Sequence, residues 1–137
     1  MQMSNSVVII PTYNEIENID AIISAVFQLP KDFHVLVVDD NSPDGTAQQV
    51  YELQEQFNGK LFIEVRKEKS GLGTAYIHGF KWAIDKKYDF IFEMDADFSH
   101  NPTDLLRLLK ACENGADVSV GSRYKKGVNV VNWPLYR

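Results

Sequence analysis

The chain has 137 residues, of which 45% are hydrophobic, and its formal net charge is −5. This length and composition suit one domain with a core of its own, which we expect to span residues 1–137. The acidic balance argues against nucleic acid or an anionic membrane surface as the main partner. A single cysteine, Cys112, excludes an internal disulfide framework and indicates a reducing, cytoplasmic compartment. No apolar run reaches the roughly 18 residues of a membrane span, and we find no signal peptide.

Five short apolar runs rich in Val, Ile and Phe predict β-strands, because each is too short for a helix. The tail from Lys125 to Arg137 has no clear element of its own. The predicted strands are Ser6–Ile10, His34–Val38, Leu61–Val65, Asp89–Met94 and Asp117–Val120.

Four helical patterns lie between these strands. Asn14 and Glu17 resemble a capping box at the start of the first helix. Ser42 and Asn101 each precede a proline. This pattern predicts a helix cap at Ser42 and at Asn101, with the proline at the first position of the helix. The third helix is predicted from Thr74 to Lys86. Alternation of strands and helices predicts an α/β fold, a doubly wound and mostly parallel sheet with helices on both faces.

The chemistry is expected where the strands end, because ligands of such sheets bind at the carboxyl ends of the strands. Carboxylates are concentrated in these segments, and four of them would share one edge, with Glu15 nearby. The four are Asp39, Asp40, Asp95 and Asp97.

Carboxylates this close together raise one another's pKa unless a positive group lies between them. A divalent cation, Mg²⁺ or Mn²⁺, suits the cluster because it prefers carboxylate and phosphate oxygens. Asp95 and Asp97 flank the small residue Ala96 directly after a strand, so they can hold a metal while a diphosphate completes its coordination. Asp39 and Asp40 have a second interpretation, as caps of the following helix. The Gly71–Gly73 turn could approach a phosphate or could simply reverse the chain.

The sequence lacks the motifs of several other protein classes. Gly71–Gly73 does not complete a dinucleotide fingerprint, because position 76 is Tyr and the segment follows the third strand. The sequence has neither a P-loop nor a hydrolase nucleophile elbow. A phosphoacceptor signalling domain would need an acidic pair where Thr12 and Tyr13 stand.

Six motifs occur in an order that resembles the dolichol-phosphate (polyprenol-phosphate) mannose synthases, which belong to the family 2 glycosyltransferases. The resemblance covers nearly the whole chain, and the six motifs together are specific. They are Val8–Glu15, Val37–Thr46, Gly71–Tyr76, Met94–Pro102, Gly121–Tyr124 and Asn132–Arg137.

This resemblance implies a GT-A fold, a GDP-mannose donor, a Mg²⁺ or Mn²⁺ ion and a polyprenyl phosphate acceptor at the cytoplasmic face of a membrane. Asp95 and Asp97 should hold the metal and diphosphate, with Arg123 on the phosphates, and these three are the expected catalytic residues. The nucleotide and its phosphates should contact further positions in these motifs and one lysine just before the third motif. Those positions are Pro11, Tyr13, Glu15, Asp40, Lys69 or Lys67, Ala96 and Ser99, the last of which is often Gln in the family.

The family's catalytic domains continue well past Arg137, so we expect this chain to bind the donor with poor or no turnover. We expect membrane contact only through the acceptor or through segments beyond this residue. The expected activity is inverting mannosyl transfer, for which an ionised phosphate acceptor needs no general base. Two alternatives stay open. One is a family 2 transferase using UDP-glucose or another acceptor, and the other is a non-catalytic nucleotide-sugar-binding module.

Overall fold

The structure is a computed structural model that describes residues 5–67, 71–114, 118–121 and 128–131. Strand and helix alternate along the chain until the last two strands, which follow each other. The strands are β1 (Ser6–Thr12), β2 (Phe33–Asp39), β3 (Leu61–Val65), β4 (Phe90–Glu93), β5 (Val118–Gly121) and β6 (Val128–Val131). The helices are α1 (Ile19–Phe27), α2 (Thr46–Gln56), α3 (Leu72–Asp85) and α4 (Asp104–Glu113).

Four strands form a parallel sheet in the order β3-β2-β1-β4. Every residue of the two central strands, β1 and β2, is buried. Parallel strands that are covered on both faces carry such continuous apolar runs, which explains the Val and Ile content of these segments. The predicted α/β fold with a parallel sheet is therefore confirmed.

Helices cover both faces of this sheet. Because successive side chains of a strand point to opposite faces, β1 divides its residues between two cores. Val8 and Ile10 belong to the core that also includes buried residues of α1, α2 and α4. Val7 and Ile9 belong to the core on the other face, with Ala75 of α3. The doubly wound arrangement follows from this division.

Helix α3 lies unusually close to β1 at Gly79. A Cβ atom added to Gly79 would lie 2.6 Å from Cγ2 and 3.0 Å from Cδ1 of Ile9, closer than packed side chains approach. The absence of a side chain at Gly79 therefore sets the distance between the helix and the sheet.

The predicted fifth strand is present as β5, but it is not part of the parallel sheet. It pairs antiparallel with β6, which lies in the tail where the sequence predicts no element. Pairing with β5, and not an apolar run of its own, defines β6 as a strand. The parallel sheet therefore brings the ends of four of the five predicted strands to one edge.

The predicted helix starts are wrong by three or four residues for two helices. Asn14 has a φ of 56° and lies outside α1, whose N-terminal cap position is Asn18. Ser42 does not cap α2, which follows Gly45 at a φ of 92°. Asn101 lies two residues before Thr103, the cap position of α4. The hydroxyl of Ser42 donates to Asp39 instead, and Oδ1 of Asn101 accepts the amide and the hydroxyl of Thr103 in the turn before α4.

Candidate functional site

The carboxyl ends of β1, β2 and β4 lie side by side. Thr12 at the end of β1 is paired with Asp39 at the end of β2, and Ile9 is paired with Glu93 of β4. Extending the second register by two residues brings Asp95 level with Pro11. Side chains that follow these three strands therefore meet at one edge of the sheet.

Asp39 has a structural role at this edge. Its carboxylate is fully buried and accepts hydrogen bonds from Oγ1 of Thr12 at 2.6 Å and from Oγ of Ser42 at 2.6 Å. The backbone amide of Ser42 donates to its second oxygen at 2.9 Å. Both oxygens of Asp39 are thus used to tie the end of β2 to β1 and to the following turn.

The segment after β2 also holds the segment after β1. Oγ of Ser42 accepts the amide of Asn14 at 2.9 Å, and a carboxylate oxygen of Asp44 accepts the amide of Ile16 at 3.1 Å. Oγ1 of Thr46 accepts the amide of Glu15 at 3.1 Å. These bonds fix the path of the first loop, which displays two predicted nucleotide-binding residues. Tyr13 is exposed and Glu15 is half-buried.

Pro11 lies within β1 and is buried, so its backbone position is set by pairing with Val38. The ring presents limited surface at the root of the loop that carries Tyr13. The structure therefore brings Pro11, Tyr13 and Glu15 to the same strand end.

Asp40 is buried and forms a two-point ion pair with Arg66. Nε of Arg66 donates to Oδ1 of Asp40 at 2.6 Å, and Nη2 donates to Oδ2 at 2.7 Å. The same guanidinium donates to Oγ1 of Thr74 at 3.1 Å and to the carbonyl of Gly71 at 3.4 Å. Arg66 thereby joins the end of β2 to the first turn of α3, and it neutralises one carboxylate of the predicted acidic cluster.

Asp95 follows β4 and is half-buried. The hydroxyl of Tyr76 donates to its Oδ1 at 2.8 Å, and the backbone amide of Asp95 donates to Nδ1 of His100 at 3.3 Å. Burial and the adjacent Asp95 carboxylate raise the pKa of Tyr76 above its ordinary value, so the phenol keeps its proton and acts as the donor.

Asp97 is exposed, and the buried Ala96 separates it from Asp95. The hydroxyl of Ser99 donates to Oδ1 of Asp97 at 2.5 Å, and the amide of Ser99 donates to the same oxygen at 3.0 Å. These hydrogen bonds lower the pKa of Asp97, which is ionised near neutral pH. Phe98, next in the chain, has a φ of 64° and an exposed side chain.

The donor set of Asp95 and Asp97 fits a hard divalent cation. Both carboxylates are held through Oδ1 by hydroxyl groups, and Oδ2 of Asp97 accepts no hydrogen bond from the described residues. Two carboxylates that leave further coordination positions to phosphate oxygens are typical of Mg²⁺ sites. Among the described residues, no group of three or more His, Cys, Asp or Glu side chains is placed to hold a metal ion, so the chain itself offers this pair of carboxylates.

Arg66 and Tyr76 were not predicted as site residues. Arg66 directly follows β3. Its partner, Asp40, follows β2, so the contact depends on the pairing of these two strands and not on the local sequence. Tyr76 follows Ala75, a buried residue of α3 in the same core as Val7 and Ile9 of β1, and Tyr76 packs against that core. Lys67 is exposed, and its carbonyl accepts from Nδ2 of Asn41 at 3.2 Å. Lys69 and Arg123 lie outside the described residues.

The sequence matches a known protein family over nearly its whole length. The family described as "Glycosyl transferase family 2" matches residues 7–137. The chain belongs to glycosyl transferase family 2. This membership excludes the phosphoacceptor signalling domain as an interpretation of the clustered aspartates.

Three curated relatives cover 94 to 96% of this chain. The polyprenol monophosphomannose synthase of Mycolicibacterium smegmatis is 47% identical, and the chain covers 50% of it. The undecaprenyl-phosphate mannosyltransferase of Micrococcus luteus is 44% identical, with 52% covered. The dolichol-phosphate mannosyltransferase of Pyrococcus furiosus is 44% identical, with 36% covered. The chain thus spans about half or less of the length of these relatives.

Two solved structures share the fold. The mannosyltransferase PcManGT from Pyrobaculum calidifontis, in complex with GDP-Man and Mn²⁺, matches 59% of this chain and 25% of its own, with a TM-score of 0.55 and 26% identity. TarS of S. aureus, residues 1–349 with UDP-GlcNAc, matches 82% of this chain and 32% of its own, with a TM-score of 0.64 and 29% identity. The α/β fold of the chain is therefore of the GT-A type. None of the helices that the structure describes has the length and apolar character needed to span a membrane.

Proposed function

We propose that this chain is the nucleotide-sugar-binding domain of an inverting transferase that moves mannose from GDP-mannose to a polyprenyl phosphate. The observation that carries the proposal is the Asp95–Asp97 pair, held by hydroxyl groups at the carboxyl edge of the sheet. The names of three relatives at 44 to 47% identity support the sugar and the acceptor.

The donor would lie along the edge formed by the ends of β1, β2 and β4. Tyr13 and Glu15, with Pro11 at the root of their loop, would contact the nucleobase and ribose. Asp40 would contact the nucleoside as well, with its carboxylate orientation fixed by Arg66. Ala96 and Ser99 would line the diphosphate, and Lys69 and Arg123 are proposed to contact the phosphates.

Asp95 and Asp97 would hold a Mg²⁺ or Mn²⁺ ion together with the diphosphate. A bound divalent cation would supply positive charge that stabilises the departing diphosphate. The chain's own contribution is orientation: Ser99 lowers the pKa of Asp97, while Tyr76 and Ser99 restrict the rotation of the two carboxylates. Mn²⁺ in the GDP-Man complex of PcManGT supports the choice of metal.

The acceptor chemistry explains why no general base is required. The phosphate of a polyprenyl phosphate is ionised near neutral pH, so its oxygen attacks without losing a proton at that step. Catalysis would then depend on holding donor and acceptor in line and on neutralising the diphosphate. Because its lipid acceptor resides in a bilayer, we propose that the full-length protein works at the cytoplasmic face of a membrane.

A UDP-sugar transferase is the second candidate, because the described fold also aligns with TarS in complex with UDP-GlcNAc. Calorimetric titration of the chain with GDP and with UDP, each with Mn²⁺ and with chelator, separates the candidates. We expect metal-dependent binding that favours GDP. A preference for UDP would contradict the mannose donor, and absence of binding for both nucleotides would contradict the site.

A non-catalytic nucleotide-sugar-binding module would bind GDP but would not transfer the sugar. Incubation of the full-length protein with labelled GDP-mannose and a polyprenyl phosphate tests this alternative. We expect labelled mannosyl lipid to form with Mn²⁺ and not with chelator. Tight binding of GDP-mannose without any lipid product would favour the non-catalytic module.

A further inference from the structure

Tyr76 connects α3 to the acidic pair of the candidate site. Its ring is partly buried beside Phe80 on the α3 face of the sheet, with 6.5 Å between the ring centroids. Its hydroxyl donates a hydrogen bond of 2.8 Å to Oδ1 of Asp95, in the segment that follows β4. The contact joins residues 19 positions apart in the chain, so it depends on the packing of α3 against the sheet.

Helix α3 is held at two further points, which makes the Tyr76 hydroxyl a fixed reference for Asp95. Gly79 brings the helix against Ile9, one turn beyond Tyr76. At the other end, Arg66 binds Oγ1 of Thr74 and the carbonyl of Gly71, and Thr74 itself donates to that carbonyl at 2.8 Å. The start of the helix therefore cannot shift without breaking contacts to both β1 and Arg66.

The hydroxyl of Tyr76 also limits the orientations open to the Asp95 carboxylate. With Oδ1 fixed by Tyr76, Oδ2 lies 3.5 Å from the hydroxyl of Ser99, on the side where Asp97 also contacts Ser99. The hydrogen bond thus leaves Oδ2 of Asp95 on the side of Ser99, the residue that also holds Asp97, where the two carboxylates could share a cation. Partners that orient a metal-binding side chain typically change metal affinity about 10- to 100-fold when removed.

We propose that Tyr76 is a positioning residue that orients Asp95 for the divalent cation and diphosphate. This inference rests on the proposed function, because it assumes that Asp95 holds the cation. Tyr76 touches neither donor nor acceptor in this role and acts only through the carboxylate.

The chain offers a matched control for the loss of a tyrosine hydroxyl. Tyr88 follows α3, and its hydroxyl lies 2.8 Å from Nδ1 of His34, a contact of the same length as that of Tyr76. His34 is in β2 near its amino end, so this contact lies at the sheet edge opposite to Asp95. Tyr88→Phe removes an equivalent hydrogen bond without reaching the candidate site.

The test compares Tyr76→Phe with Tyr88→Phe in calorimetric titrations of the whole 137-residue chain with GDP, in Mn²⁺ and in chelator. For Tyr76→Phe we expect the affinity for GDP in Mn²⁺ to fall about 10-fold, with the affinity in chelator unchanged. Tyr88→Phe should match the unmodified chain in both conditions. Equal losses in Mn²⁺ and chelator, or no loss in Mn²⁺, would overturn the positioning role.

A double variant checks that the effect passes through Asp95. In a chain that already carries Asp95→Asn, Tyr76→Phe should cause no further loss of affinity in Mn²⁺, because the carboxylate it orients is gone. An additional 10-fold loss would contradict the inference. If the unmodified chain shows no metal-dependent GDP binding, the proposed function itself fails. If the unmodified and Tyr76→Phe chains both bind GDP equally well in Mn²⁺, only the positioning role of Tyr76 fails.

Discussion

Arg66 and Asp40 join the ends of β3 and β2 through two parallel hydrogen bonds, 2.6 Å from Nε to Oδ1 and 2.7 Å from Nη2 to Oδ2. The side chain of Asp40 is 7% exposed and that of Arg66 is 14% exposed, so solvent screens the pair weakly. A planar guanidinium matches a carboxylate at two points, which an ammonium group does not.

Arg66→Lys should therefore destabilise the protein although it keeps the charge. One oxygen of the buried Asp40 would lose its hydrogen bond from residue 66, and the contacts with Thr74 and Gly71 would also be lost. We expect a decrease of about 1–3 kcal/mol in the free energy of unfolding, measured by urea denaturation. Arg107→Lys is the control, because Arg107 and Asp104 form an exposed pair worth less than about 1 kcal/mol. Equal effects of the two variants would show that the two-point geometry is unimportant.

The strands were predictable because their signal is local. The apolar runs of β1 to β4 are continuous in the sequence, and burial on both faces of the sheet leaves each strand a simple pattern. The position of Asp95 and Asp97 was predictable for the same reason: the end of an apolar run also marks the edge of the sheet. β6 gave no comparable run, and its residues pair with residues of β5 that lie seven to thirteen positions earlier in the chain.

The helix starts and the partners of the carboxylates were not predictable, because they depend on tertiary contacts. Ser42 has the sequence pattern of a helix cap, but its hydroxyl donates to Asp39 and accepts the amide of Asn14, 28 residues away. Tyr76 and Asp95 meet only after α3 has packed against β1 and β4. The sequence pattern of one segment does not indicate which residues of another segment it will contact.

Acidification should destabilise the protein through His34. Burial lowers the pKa of His34 below its ordinary value of 6.5, so at mildly acidic pH the unfolded chain binds a proton that the folded chain does not. The free energy of unfolding should therefore fall as the pH drops below 6.5, by at most about 1.4 kcal/mol per pH unit. Urea denaturation at pH 7.5 and 5.5 measures this change. His34→Gln should show a smaller loss between these pH values, and an unchanged loss would assign the effect to other groups.

Gly79→Ala should destabilise the packing of α3 on the sheet. The new methyl group would lie 2.6 Å from Cγ2 of Ile9, a fully buried side chain that has little room to move. Overpacking of this kind costs about 1–3 kcal/mol, which thermal or urea unfolding would detect.

Gly73→Ala in the same helix is the control, because nothing lies within 4 Å of its added Cβ atom. We expect Gly73→Ala to be neutral or slightly stabilising, since alanine is the better helix former. Similar destabilisation by both variants would contradict the close approach of Gly79 to Ile9.

Asp97→Ala should remove the metal dependence of nucleotide binding. Asp97 carries an exposed carboxylate whose Oδ1 is fixed by Ser99, so its loss removes one of the two proposed metal-holding groups and disturbs few internal contacts. In calorimetric titrations we expect the affinity for GDP in Mn²⁺ to fall to the value found in chelator, with the chelator value unchanged. The free energy of unfolding should change by less than about 0.5 kcal/mol, as for other surface substitutions. Asp104→Ala is the matched control, because this carboxylate pairs with Arg107 in the first turn of α4 and lies outside the proposed site. Mn²⁺-dependent affinity that survives in Asp97→Ala would exclude Asp97 from the metal site and leave Asp95 without its proposed partner.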